Sequence, residues 1–224
     1  MVSAFARQLT LDLSHAESFA REDFFPAPSN AAALRLIERW PDWPAPVLAL
    51  LGPAGAGKSH LAAIWAREAG ARFLSGRALK QADLPAALAT GALVVEDLAA
   101  GSFDERALFH LINLAREEEA FLLLTATAAP ATWDVAIPDL GSRLRAIPTV
   151  ALEPPDDGLL RAVLVKLFAD RQLHVDEAVI SFVMARSGRS LADAKEAVAR
   201  LDGEALRLRR PVTRALAAEV LRLP

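Results

Sequence analysis

The chain has 224 residues and a mass of 24.0 kDa, enough for one domain or for one domain plus a small second one, with a core that needs no staples. It contains no Cys, which excludes a disulfide framework, a thiolate nucleophile and a Cys-based zinc site, and its four His (His15, His60, His110, His174) are too scattered for a His-rich metal cluster. A net charge of −3, a pI of about 5.8 and 53% hydrophobic residues describe a globular chain whose main task is not to coat nucleic acid.

The N-terminus, MVSAFARQLTLDL, has no signal-peptide apolar stretch, and no apolar run reaches the ~18 residues of a membrane span, so a cytoplasmic protein is expected. Residues 1–28 read as mostly irregular. Ser29 or Asn30 is placed to cap a helix with Ala33, Leu34, Ile37 and Trp40 on its apolar face, and WPDWPAP ends that helix with three prolines. From there strands and helices alternate. Strands are predicted at 47–51, 71–75, 92–97, 121–127 and 149–153, with helices at 58–69, 78–89, 104–119 and 138–145 between them. The strands are continuous apolar runs, as strands of a parallel sheet covered on both faces require. After Pro154 and Pro155 only helical patterns follow, at about 156–171, 176–186, 190–201 and 211–222. The expected organisation is an N-terminal segment over 1–28, an α/β nucleotide-binding core over 29–154 and an all-α domain over 155–224.

The sequence G-P-A-G-A-G-K-S, residues Gly52, Pro53, Ala54, Gly55, Ala56, Gly57, Lys58 and Ser59, fits G-x-x-x-x-G-K-[ST] in full. It follows a predicted buried strand and opens a predicted helix, where backbone N–H groups and the helix N-terminus can surround phosphate oxygens. In this pattern Lys58 reaches the β- and γ-phosphates, and the Ser59 hydroxyl ligates Mg²⁺. The run LVVED adds Glu96 and Asp97 at the end of another strand, one to hold the magnesium and one to orient an attacking water. Glu96 stands at the metal-holding place and Asp97, one methylene shorter than Glu, at the water-orienting place.

These residues resemble the DnaA-like branch of the AAA+ ATPases over nearly the whole chain. FFPAPSNAAAL, with Phe25, is similar to the segment lining the adenine pocket, and GKSHL, with His60 and Leu61, to the branch's P-loop. FLLLTATAAP resembles the sensor-1 strand, and DLGSRL the box carrying an arginine finger. The resemblance implies an AAA+ P-loop core with a parallel β-sheet and a small all-α lid. It also implies ADP or ATP with Mg²⁺ as ligand, Arg143 as the finger with Arg145 as the second candidate, and Thr127 at the sensor-1 position. The alternative for Arg143 is a surface pair with Asp139 four residues earlier. The sensor-2 alignment places Ala192 where an Arg is usual, with Arg189 the nearest substitute, so slow hydrolysis of its own nucleotide is expected.

DnaA itself continues into a helix-turn-helix domain, and no sequence-specific DNA binding is expected here. Gln8, Leu9, Leu11, Asp12 and Leu13 instead form Q-L-x-L-x-L, similar to a sliding-clamp-binding peptide, or alternatively an edge strand. A clamp peptide on a DnaA-like module resembles the Hda family. That resemblance implies two partners, the DNA polymerase sliding clamp and the initiator DnaA, with Arg143 delivered in trans to DnaA-bound ATP. No membrane partner is expected, and AAA+ modules work across subunit interfaces, homo-oligomers included. The rival readings are a DnaC-like helicase loader, a small-molecule kinase and a nucleotide-locked scaffold joining clamp and DnaA.

Overall fold

A computed structural model describes residues 19–221. Its elements are α1 (Ala31–Glu38), β1 (Val47–Leu51), α2 (Lys58–Ala69), β2 (Arg72–Ser75), α3 (Leu84–Leu88), β3 (Ala92–Leu98), α4 (Glu105–Glu117), β4 (Phe121–Ala126), α5 (Pro138–Arg145) and β5 (Thr149–Ala151). Four helices follow: α6 (Asp157–Asp170), α7 (Glu177–Arg186), α8 (Leu191–Leu208) and α9 (Arg214–Val220). No described helix is long and apolar enough to cross a membrane.

The five strands form one parallel sheet in the order β2-β3-β4-β1-β5. Side chains alternate between two apolar clusters. Val47, Ala49, Leu93, Val95, Leu122 and Leu124 point to the face covered by α3, α4 and α5. Leu48, Leu50, Ala92, Val94 and Leu123 point to the face covered by α1 and α2. Burial on both faces is why these strands carry no polar alternation. A third cluster gathers α6 to α9 around Leu164, Phe168, Val183, Val198, Leu201 and Leu216.

Besides shifted ends, among them β5 stopping at Ala151 and α9 starting at Arg214, three elements differ from their sequence expectation. The 78–89 helix is a 3₁₀ turn, Gly76–Gln81, and a separate α3. Asp83 accepts a hydrogen bond from the Ala86 N–H and restarts the chain as an N-cap, with Pro85 in the first turn where no amide is needed. α8 continues past 201 to Leu208, because Ala205 carries its buried face one turn beyond Leu201. Asn30 precedes α1 but does not cap it. Its amide oxygen accepts from the Ala27 N–H and its NH₂ donates to the Phe25 carbonyl, which locks the loop before the helix.

A nucleotide-sized cavity at the P-loop

β1 delivers the chain to the loop at residues 52–57, and α2 begins at Lys58, as the motif requires. Gly55 has φ +73°, and a Cβ there would lie 2.8 Å from the Ala192 Cβ, so both the turn and its neighbour demand glycine. The neighbour is the start of α8, whose Leu191 N–H donates to the Gly55 carbonyl at 3.1 Å. The first turn of α8 therefore seats directly on the phosphate loop.

Between these elements lies a cavity of about 900 Å³. Lys58, Ser59 and Asp97 line its floor, and Phe24, Phe25 and Leu159 line an apolar part of its wall. Lys58 Nζ donates to the carbonyls of Gly52 at 2.8 Å and Pro53 at 3.0 Å. Burial pulls the Lys58 pKa below its ordinary value, and the charges of Asp97 and Glu96 push the other way. A bound polyphosphate favours the protonated form. Nucleotide affinity is therefore expected to fall as pH rises through the depressed Lys58 pKa, checked by titration across the alkaline range.

The two acids part company at a bulge. Strict alternation would send Asp97 to the same face as Leu93 and Val95. Instead the register shifts between Val95 and Leu98, and Asp97 takes φ +57°. Leu98 takes up the core position and Asp97 turns into the cavity. Thr125, buried on β4, holds this geometry by accepting the Asp97 N–H at 3.1 Å. Thr125→Val would leave that amide unpaired, a loss of about 1–3 kcal/mol. A lower melting temperature is expected, by about 2–4 °C per kcal/mol in a calorimeter. Glu96 does not line the cavity, but its Oε1 is buried without a hydrogen-bond partner.

No group of three His, Asp or Glu among the described residues could hold a metal alone. The Ser59 hydroxyl fits a magnesium ion held mainly by phosphate and water oxygens, and Ser59 is the residue that would hold it. Glu96, expected at the metal-holding place, does not line the cavity, and Asp97 is the carboxylate that does.

Thr127 lies beyond β4 and is exposed, outside the cavity. Arg189 also stands away from it, paired with Asp157 at 2.5 Å on an exposed surface. Lys195, one turn along α8 from Ala192, lines the cavity instead. An arginine sought at one register position does not reveal it; the i+3 spacing, which puts Lys195 on the Ala192 face, is the signal that does. His60 lines the cavity too. Its ring meets Phe19 and Phe24 edge-on, with centroids 5.5 and 5.3 Å away, and its Nε2 lies 3.0 Å from the Ala20 carbonyl. Residues 19–25 thus form a wall of the cavity, and Asp23 joins them to α6 through Lys166 at 3.1 Å.

Arg143 is half-buried on α5 and does not line the cavity. Its guanidinium stacks over the Phe109 ring, 5.1 Å from the centroid, and makes no ion pair with Asp139. Arg145 is exposed and donates to Ser142 Oγ at 3.2 Å. Gln8, Leu9, Leu11, Asp12 and Leu13 lie outside the described residues.

No family model matches the chain. Solved structures do share its fold. Domain III of the replication initiation protein DnaA from Thermotoga maritima is similar with a TM-score of 0.73 and 20% identity, over 91% of this chain and 95% of that one. AMPPCP-bound DnaA from Aquifex aeolicus gives 0.63 and 19%, over 84% of this chain and 68% of that one. A mutant of Thermotoga maritima RuvB gives 0.65 and 20%, over 86% of this chain and 67% of that one. The parallel sheet with its P-loop and the helices that follow make this chain an α/β protein of the AAA+ fold, similar in structure to DnaA and RuvB.

Proposed function

We propose that the chain binds ADP or ATP with Mg²⁺ in the P-loop cavity and acts as an Hda-type regulator. In this reading it docks on the DNA-loaded sliding clamp and promotes hydrolysis of ATP held by DnaA, so lowering replication initiation. The observation that carries it is the separation of two cationic groups that the sequence motifs mark for phosphate. Lys58 faces the chain's own cavity, whereas Arg143 stands outside it on α5. A finger outside its own site is useful to a neighbour's nucleotide. That one structural neighbour is a DnaA bound to AMPPCP adds support for the ligand class.

Within the chain's own site the P-loop amides and Lys58 hold the phosphates, and Phe24, Phe25 and Leu159 offer the apolar surface that an adenine ring needs. Magnesium, when bound, neutralises phosphate charge. Asp97 faces the phosphate floor and would orient a water; its short reach suits slow self-hydrolysis. Lys195 supplies the second cation, from α8, in place of an arginine at position 192. Arg143 would stabilise charge on the phosphoryl group transferred in DnaA.

Nucleotide binding is tested by Lys58→Ala, for which affinity is expected to fall at least tenfold, about 1.4 kcal/mol, in a titration with labelled adenine nucleotide. Unchanged affinity removes the assignment. Lys195→Ala is expected to weaken triphosphate binding more than Arg189→Ala does, since Arg189 is engaged with Asp157. Equal effects would return the role to Arg189.

A further inference from the structure

The end of the helical region carries charge that the nucleotide cavity does not use. From Ala205 to Ala218 there are four arginines (Arg207, Arg209, Arg210, Arg214) and no Asp or Glu, in a chain of net charge −3. Arg186 on α7 joins Arg214 in space. The Arg186 and Arg214 guanidiniums lie 5.4 and 5.9 Å from the centroid of one ring, Phe182. Arg207 is paired with Glu204. Arg186, Arg209, Arg210 and Arg214 are exposed, and among the described residues none of them enters an ion pair. Nearby arginines do find acids: Arg161 pairs with Glu177 and Arg171 with Asp202. Four unpaired like charges near the end of the helical region oppose folding by self-repulsion.

Arg209 adds an independent observation. It ends α8 with φ 52° and ψ 44°, and the next residue's N–H donates to the Ala205 carbonyl at 3.0 Å. That left-handed cap is a position where glycine is the relaxed choice. An arginine there holds strained backbone, as Glu119 and Gln172 do after α4 and α6.

We propose that Arg186, Arg209, Arg210 and Arg214 form a docking surface for the phosphate backbone of duplex DNA, read without regard to base sequence. Arginine's planar fork suits phosphate oxygens, and the Phe182 ring pre-orients two of the four forks. Single strands need exposed aromatic faces for base stacking, and here the ring is half-buried with two guanidiniums over it. A bilayer needs an apolar face to insert. α9 has seven residues, its Leu216 and Ala217 are already buried, and one exposed leucine, Leu206, is too little apolar surface. The inference stands whether or not the chain acts on DnaA.

The test is fluorescence anisotropy of the full chain with a short labelled duplex of arbitrary sequence, over a series of KCl concentrations. Binding with Kd of about 10⁻⁴–10⁻⁶ M near physiological salt is expected. The log–log salt slope should be near −0.9 for each phosphate engaged, so about −3 to −4 for four arginines. Arg209→Gly removes one charge at a position that favours glycine. It should keep the melting temperature or raise it, and flatten the slope by about one. Combining it with Arg186→Gln, Arg210→Gln and Arg214→Gln should abolish the binding. If that combination does not fold, Arg209→Gly alone decides. No binding by the unaltered chain at low salt overturns the proposal, as does an unchanged slope in Arg209→Gly. Binding to anionic phospholipid vesicles without binding to duplex also overturns it, in favour of a membrane surface.

Discussion

Arg143→Ala is expected to lower the stimulation of DnaA's ATP hydrolysis by about 10³–10⁵, the range an arginine finger supplies. Nucleotide binding by the chain itself should not change, because Arg143 does not line the cavity. Clamp binding should not change either, since the Q-L-x-L-x-L peptide lies far away in sequence. Arg143→Lys should rescue poorly: a point charge cannot span two phosphoryl oxygens as the planar fork does, and it stacks less well on Phe109. Arg145→Ala is the control. Two residues along a helix leads to a different face, and Arg145 is engaged with Ser142. The measurement is single-turnover hydrolysis of DnaA-bound ATP in the presence of DNA-loaded clamp. Near-normal stimulation by Arg143→Ala eliminates the finger. A selective loss in Arg145→Ala moves it by two residues. If neither variant matters, a scaffold that joins clamp and DnaA is the better account.

Replacing Gln8, Leu11 and Leu13 together by Ala should abolish clamp binding. Each leucine buried in a partner contributes on the order of 1.5–3 kcal/mol, so the two together amount to a loss of at least about a hundredfold in affinity. Thermal stability should hardly move, because a terminal peptide that docks on a partner contributes little to the chain's own core. Co-elution of the triple variant with clamp at micromolar concentration would mean that the peptide is not the docking element. A pull-down with the replicative helicase in place of the clamp separates this reading from a helicase loader.

The legible and illegible parts of this molecule divide by the range of the forces involved. β1 at 47–51, α2 at 58–69 and α5 at 138–145 stand where periodicity and end signals place them. In α5 the signal is Pro138 in the first turn, and in α2 it is the P-loop itself. The 78–89 stretch reads as one helix because its apolar spacing outweighs the Asp83-Leu84-Pro85 restart, which only the structure reveals. The last turns of α8 escape the sequence pattern because Gly203 weakens the local helical signal, while packing of Ala205 in the third cluster sustains the helix.

The site divides the same way. The phosphate loop is legible because its chemistry is contiguous: glycines, a lysine and a hydroxyl in one turn before a helix. The surrounding groups come from distant segments, and no local pattern orders them. Asp97 reaches the cavity only through the bulge that Thr125 supports across the sheet. Thr125, not Thr127, is the buried hydroxyl beside it, because β4 ends at Ala126. Lys195, not Arg189, lines the cavity, because α8 seats its first turn against Gly55 while Arg189 is paired with Asp157 on the exposed surface. The sequence alone determined the fold class and the phosphate loop, since binary patterning and one contiguous motif specify both. Tertiary structure decided which acid and which second cation line the cavity beside that loop, and which hydroxyl supports the acid, because each depends on packing between segments far apart in the chain.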